Sequence, residues 1–189
     1  MTSTTATTST TWKADLDHSS VTFIVRNFLG TVSGRCNLLE TTVRYDEKIP
    51  AATVDAVIDA ASIATGSEQR DGHLRSEELL DTANHPTIAF HAEGLELDQT
   101  EDNPTGRLTG RLTVRDNTRE VSLRLRFLGR DVFPLNGAPA MVVVGETEIS
   151  RDDFGVPFNM PWNNKMLISD TVNVRVELLL LLEQDEPAS

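Results

Sequence analysis

The chain is 189 residues long, the size of one domain with room for loose ends. It is 39% hydrophobic and 24% charged, an ordinary globular composition, and 29 acidic against 17 basic side chains give a net charge of -12. That balance argues against a nucleic-acid-binding face and against adsorption to anionic membranes, and the single cysteine, Cys36, excludes an internal disulfide framework.

Residues 2–11 are Thr, Ser and Ala, with no positive side chain before Lys13. This predicts a polar, disordered leader over 1–11 rather than an export signal, and with it a cytoplasmic address. Alternation then sets in. Val21, Phe23, Val25 and Asn27 share one strand face while Thr22, Ile24 and Arg26 share the other, and further strands are expected over 31–46 and 52–64. Between Ser67 and Thr82 the alternation stops; Leu74, Leu79 and Leu80 fall at helical spacing, Gly72 interrupts them and Pro86 closes the region. After a strand over 86–98, Leu108, Gly110, Leu112 and Val114 alternate with Thr109, Arg111 and Thr113. Past an Asp116-Asn117 turn, Val121, Leu123, Leu125 and Phe127 alternate with Ser122, Arg124 and Arg126, which makes a hairpin with one apolar and one arginine face. A loop over 129–140, a strand over 140–150 and a second loop over 155–164 follow. The last strand runs through Val172, Val174, Val176 and Leu178, and residues 183–189 form an acidic tail. No apolar run reaches the length of about 18 residues that a membrane span requires. The fold class is therefore all-β with one short helix, a barrel or a sandwich; an eight-stranded antiparallel barrel is just wide enough to hold one small ligand.

Five pieces stand out in order: Trp12 to Phe23; Ile49 to Val54 with Ala61 to Thr65; Arg70 to Ser76 with His85 to Phe90; Gly110 to Val114 with Arg119 to Val121; and Ile149 to Gly155. Together they resemble the YceI-like, polyisoprenoid-binding family. The resemblance spans residues 12–178 and implies an extended eight-stranded antiparallel β-barrel of lipocalin-like shape, closed by a short helix and often dimeric. It further implies an elongated apolar interior that holds an isoprenoid chain, either polyprenyl or quinone-like. Two positions depart from the family pattern: Asn27 stands where a His is common, and Val142-Val143 where Gly-Phe is common, both with expected interior parity.

Polar clusters offer little chemistry beside this. The four histidines, His18, His73, His85 and His91, show no metal-ligand spacing, and no metal or other cofactor is expected. Asp71 and His73 could serve as acid and base for Ser76, but two residues apart on a helix they point about 200° away from each other. The structural reading makes Asp71 a cap and Leu74 a plug for the barrel end. Cys36 reads as a small buried hydrophobe, despite a neighbouring Arg35 that would activate an exposed thiol. The seven arginines of the 107–130 hairpin are expected to pair with acidic residues on adjacent strands. Leu179 and Leu181 should face outward, either as a homodimer interface or packed under the N-terminal segment or the helix, and Phe154, Phe158, Met160 and Trp162 are either a cavity lid or a cluster closing the barrel.

The expected function is a non-enzymatic carrier for an isoprenoid-type lipid, with Phe23, Val25, Asn27, Ile58, Phe90, Leu112, Leu125, Phe127, Val143 and Val174 as the binding wall. Catalytic residues are expected to be none. The alternatives are an enzyme acting on a small apolar substrate in the same cavity, or a stress-linked interaction module whose core is filled. The domain should span 12–182.

Overall fold

The computed structural model describes residues 9–46, 51–98, 104–158, 161–162 and 165–183. Of the expected leader, residues 1–8 lie outside these, as does the tail beyond residue 183; Ser9–Thr11 open the first strand. The strands are β1 (Ser9–Ala14), β2 (Ser20–Asn27), β3 (Gly30–Asp46) and β4 (Ala51–Ala64), then helix α1 (Glu68–Arg75). There follow β5 (Thr87–Asp98), β6 (Thr105–Val114), β7 (Asn117–Val132), β8 (Pro139–Ser150), a 3₁₀ turn (Asp152–Phe154), the two-residue strands β9 (Pro161–Trp162) and β10 (Lys165–Met166), and β11 (Ile168–Leu182).

β2 to β8 pair antiparallel in chain order, and β11 joins β8 to β2, which closes an eight-stranded barrel. β1 and β2 share one slot in its wall. β2 pairs with the Ile168–Glu177 stretch of β11 and the first half of β3, whereas β1 pairs with Leu180–Leu182 and with Thr42–Asp46. Between them, Asp15–Ser19 leave the wall, held by the Asp15 amide donating to the Leu179 carbonyl at 2.8 Å.

Two boundaries differ from the sequence pattern. β7 continues through Val132, shortening the expected 129–140 loop to residues 133–138. The β6–β7 turn is Arg115-Asp116, since Val114 pairs with Asn117. Arg115 takes a left-handed φ of 54°, uncommon for a side chain of its size. Its guanidinium uses that position to donate to the carbonyls of Leu79 (3.0 Å) and Gly155 (3.3 Å).

One barrel end is filled. Buried Leu79, Val114, Phe154 and Val156 form a cluster there, with Leu74 of α1 and Phe158 packed against it. Leu74 thus plugs the barrel, and of the four loop residues Phe154 and Phe158 belong to the closing cluster; the side chains of Met160 and Trp162 lie outside the described residues. The helix cap is Ser67, whose hydroxyl accepts from the Arg70 amide, rather than Asp71. Buried Asp71 instead accepts from the amide (2.9 Å) and the hydroxyl of Thr65, tying the β4 exit to the helix from within. Asp71→Ala would leave a part-buried amide without its partner. The expected loss is about 2 kcal/mol, read as a fall in Tm of about 4–8 °C; an unchanged Tm would show the contact to be unimportant.

Candidate functional site

Above the closing cluster the barrel holds a cavity of about 420 Å³ that extends toward the end formed by the β3–β4, β5–β6 and β7–β8 connections. Its wall is hydrocarbon apart from Thr41, Tyr45, Arg130 and Thr147. A concave, apolar enclosure with few polar groups is the general form of a small-ligand site.

Alternation places much of this wall. Ile58 of β4, Phe90 of β5 and Leu112 of β6 line the cavity, and so do Leu125 and Phe127 of β7, Val143 of β8 and Val174 of β11. Phe23, Val25 and Asn27 do not. They sit on the β2–β3 hairpin, whose Gly30–Gly34 stretch extends past the end of β4, because the β3–β4 pairing ends at Arg35 with Ala64. The Phe23 ring covers Gly34 there, where a Cβ would come within 2.3 Å of it. Asn27 therefore lacks the cavity position expected of it, and Val142 lies on the strand face opposite the cavity-lining Val143.

Residues of β3 went unrecognised because its alternation breaks twice. Irregularities between Arg35 and Asn37 and between Leu38 and Glu40 put both Leu38 and Thr41 on the inner wall, an odd three positions apart, and Val43 and Tyr45 follow at the new parity. In β5 the register shifts between Ala92 and Leu95 around Gly94, whose φ of 95° suits only glycine, and this turns Leu95 and Leu97 inward. In β7 the shift after Phe127 brings in Arg130. The Arg130 guanidinium lies 5.9 Å from the ring of Trp12, itself buried against Leu180 and Met141.

The polar clusters are placed away from this cavity. Cys36 is buried, and desolvation pushes its thiol pKa up to about 11, with Asp59 adding to the rise. A thiol so held is a packing group. Of the hairpin arginines, Arg126 meets the carboxylate of Glu146 on the neighbouring strand β8 at 3.7 Å. Glu146 is shared with Arg175 at 2.7 Å. Among the described residues no group of three His, Cys, Asp or Glu could hold a metal ion.

On the outer wall, His91 Nδ1 pairs with Asp55 at 2.7 Å and Nε2 faces Glu93 at 3.5 Å. The hydrogen bond to Asp55 raises the His91 pKa, and Glu93 adds to it. A raised value means that the pair contributes fully below the unfolded pKa, and that the contribution is lost as pH rises through the folded value. In an NMR titration His91 should therefore protonate above the ordinary midpoint of about 6.5, and Asp55→Asn should bring it back. An ordinary midpoint in the unmodified protein would show that the pair does not form in solution.

The family model described as YceI-like domain matches residues 12–180. Protein YceI of Escherichia coli O157:H7 is 30% identical over 141 residues, which are 74% of this chain and 71% of that protein. The crystal structure of Burkholderia cenocepacia BcnA superposes with a TM-score of 0.71 at 17% identity, over 90% of this chain and 99% of the other. A polyisoprenoid binding domain from Saccharophagus degradans, implicated in plant cell wall breakdown, superposes with a TM-score of 0.62 at 16% identity, over 91% and 98%. These structural likenesses establish a common fold.

Proposed function

Because the chain belongs to the YceI-like family, we propose that it is a non-enzymatic binding protein that holds an amphiphilic isoprenoid-type lipid, polyprenyl or quinone-like, inside its barrel. The observation that carries this reading is the apolar cavity of about 420 Å³. Each lipid CH₂ moved from water to such a wall gains about 0.8 kcal/mol. The description of the Saccharophagus domain as polyisoprenoid binding supports the same ligand class. Ile58, Phe90, Leu112, Leu125, Phe127, Val143 and Val174 are the proposed tail contacts. An enzyme working in the same space would need a nucleophile with its base on this wall, and hydrocarbon lining favours binding over chemistry. A filled core would leave no such volume. Native mass spectrometry of gently purified protein should show a copurified hydrocarbon-rich adduct that organic extraction removes. Protein of bare polypeptide mass, with no apolar compound taken up on addition, would overturn the reading.

The chain is also proposed to form a homodimer through the outward leucines of β11. Leu179 and Leu181 are half-buried within one chain and alternate with the cavity-lining Leu178 and Leu180. Replacing both leucines with Lys should give a monomer with its barrel intact, read by light scattering and circular dichroism. A persisting dimer would move the interface elsewhere, and unfolding would make the two leucines part of the chain's own core.

A further inference from the structure

Among the described residues, the cavity wall contains one buried side-chain polar atom without a hydrogen bond. Thr41 is 2% exposed, and its Oγ1 has no hydrogen-bond partner among the described residues. It lines the lipid-sized cavity from β3, at the level of Ala56, in the stretch between the parts of β3 that β2 and β1 cover. Thr147, the other inward threonine, differs. Its hydroxyl donates to the Ser122 carbonyl at 2.9 Å and is satisfied within the wall. A valine would fill the same volume as Thr41 without burying a hydroxyl, and buried hydroxyls are normally paired. Ordered water is a poor partner, since a buried water needs two to four polar neighbours and the other side chains facing this level of the barrel, such as Leu38 and Val43, are hydrocarbon.

We infer that Thr41 is the hydrogen-bond anchor for a neutral oxygen of the ligand, an alcohol or a carbonyl, lodged within the barrel. The inference rests on the lipid-binding reading above and narrows it. Thr41 selects uncharged lipid alcohols and ketones over pure hydrocarbons of the same length, because only the former satisfy its hydroxyl. A hydroxyl both donates and accepts, so either class fits. A charged headgroup is disfavoured at Thr41, whose wall neighbours Leu38, Val43 and Ala56 carry no charge; the cation of the wall, Arg130, lies over the ring of Trp12. The ligand's oxygen-bearing end therefore lies inside the barrel, and its position is set by β3.

Farnesol and farnesene, an alcohol and a hydrocarbon of matched isoprenoid skeleton, test this by competition against a fluorescent apolar probe in the cavity. Farnesol should bind the unmodified protein more tightly than farnesene. Thr41→Val should weaken farnesol about tenfold, the value of one hydrogen bond, and leave farnesene unchanged or tighter. Its Tm should rise, since an unpaired hydroxyl has been replaced by a methyl group. Thr41→Ser, which keeps the hydroxyl, should keep the preference. Equal losses for the two compounds in Thr41→Val, or a preference that survives it, would overturn the anchor while leaving the lipid site standing. Failure of both compounds to displace the probe from the unmodified protein would overturn the lipid-binding reading, and the anchor with it.

Discussion

Phe127→Arg should abolish uptake of an apolar ligand while the barrel stays folded. Phe127 lines the cavity from β7, directly opposite Val143, and its amide donates to the Pro104 carbonyl at 3.1 Å near the end where Arg130 stands. An arginine there can run its stem along the wall and carry its guanidinium to the rim, which spares the fold. The same side chain then fills the space a lipid tail would take, and its charge makes the remaining cavity unfavourable for hydrocarbon. Farnesol affinity should fall at least about a hundredfold, equivalent to about 3 kcal/mol. Arg126→Gln, one residue earlier on the opposite face, removes only the exposed pair with Glu146 and should change affinity by less than about twofold. Equal losses from the two substitutions would show that the inner and outer faces of β7 have been exchanged.

Gly110→Val should produce a large loss of stability. A Cβ at Gly110 would lie 2.6 Å from both the Ala92 Cβ and the His91 carbonyl oxygen, and 2.7 Å from the Phe90 ring. The ring could turn away. The carbonyl belongs to the β5 ladder and cannot move without breaking register with β6. Overpacking of this kind costs about 3 kcal/mol or more, which in a chain of this size lowers Tm by about 6–12 °C. The contrast is Gly72→Ala on α1, where a Cβ would meet nothing within 4 Å and a helix interior favours alanine; its Tm should rise or stay the same. A tolerated Gly110→Val would mean that β5 and β6 separate more easily than their pairing indicates.

The wall of β6 and β7 was legible from period-two alternation because both strands keep register over the stretch from Leu108 to Phe127. The same rule misplaced Phe23, Val25 and Asn27, for a different reason. Alternation tells which face of a strand a side chain occupies, but not how far along the barrel the strand continues after its neighbours have ended. The β2–β3 hairpin outruns β4, and only the pairing of Arg35 with Ala64 reveals it. Thr41 and Tyr45 were hidden by the bulges of β3, which reverse parity with no glycine at the irregular positions to mark them. Gly94 in β5 was such a mark, and could have been read as a bulge from the sequence. The role of Arg115 was out of reach, since it joins Leu79 and Gly155, segments about 40 residues away on either side, through a turn conformation no local pattern demands.

On the proposed function, a lipid tail lies inside the barrel against the inner faces of β6, β7 and β8. The most direct measurement is a set of filtered nuclear Overhauser contacts between bound farnesol and methyl-labelled protein. Contacts are expected from the ligand's methyl protons to the side chains of Leu108, Leu125 and Val143, all buried on the cavity wall. Contacts confined to outward Leu128 and Ile24, or a ligand that leaves the three buried methyl resonances unshifted, would contradict it.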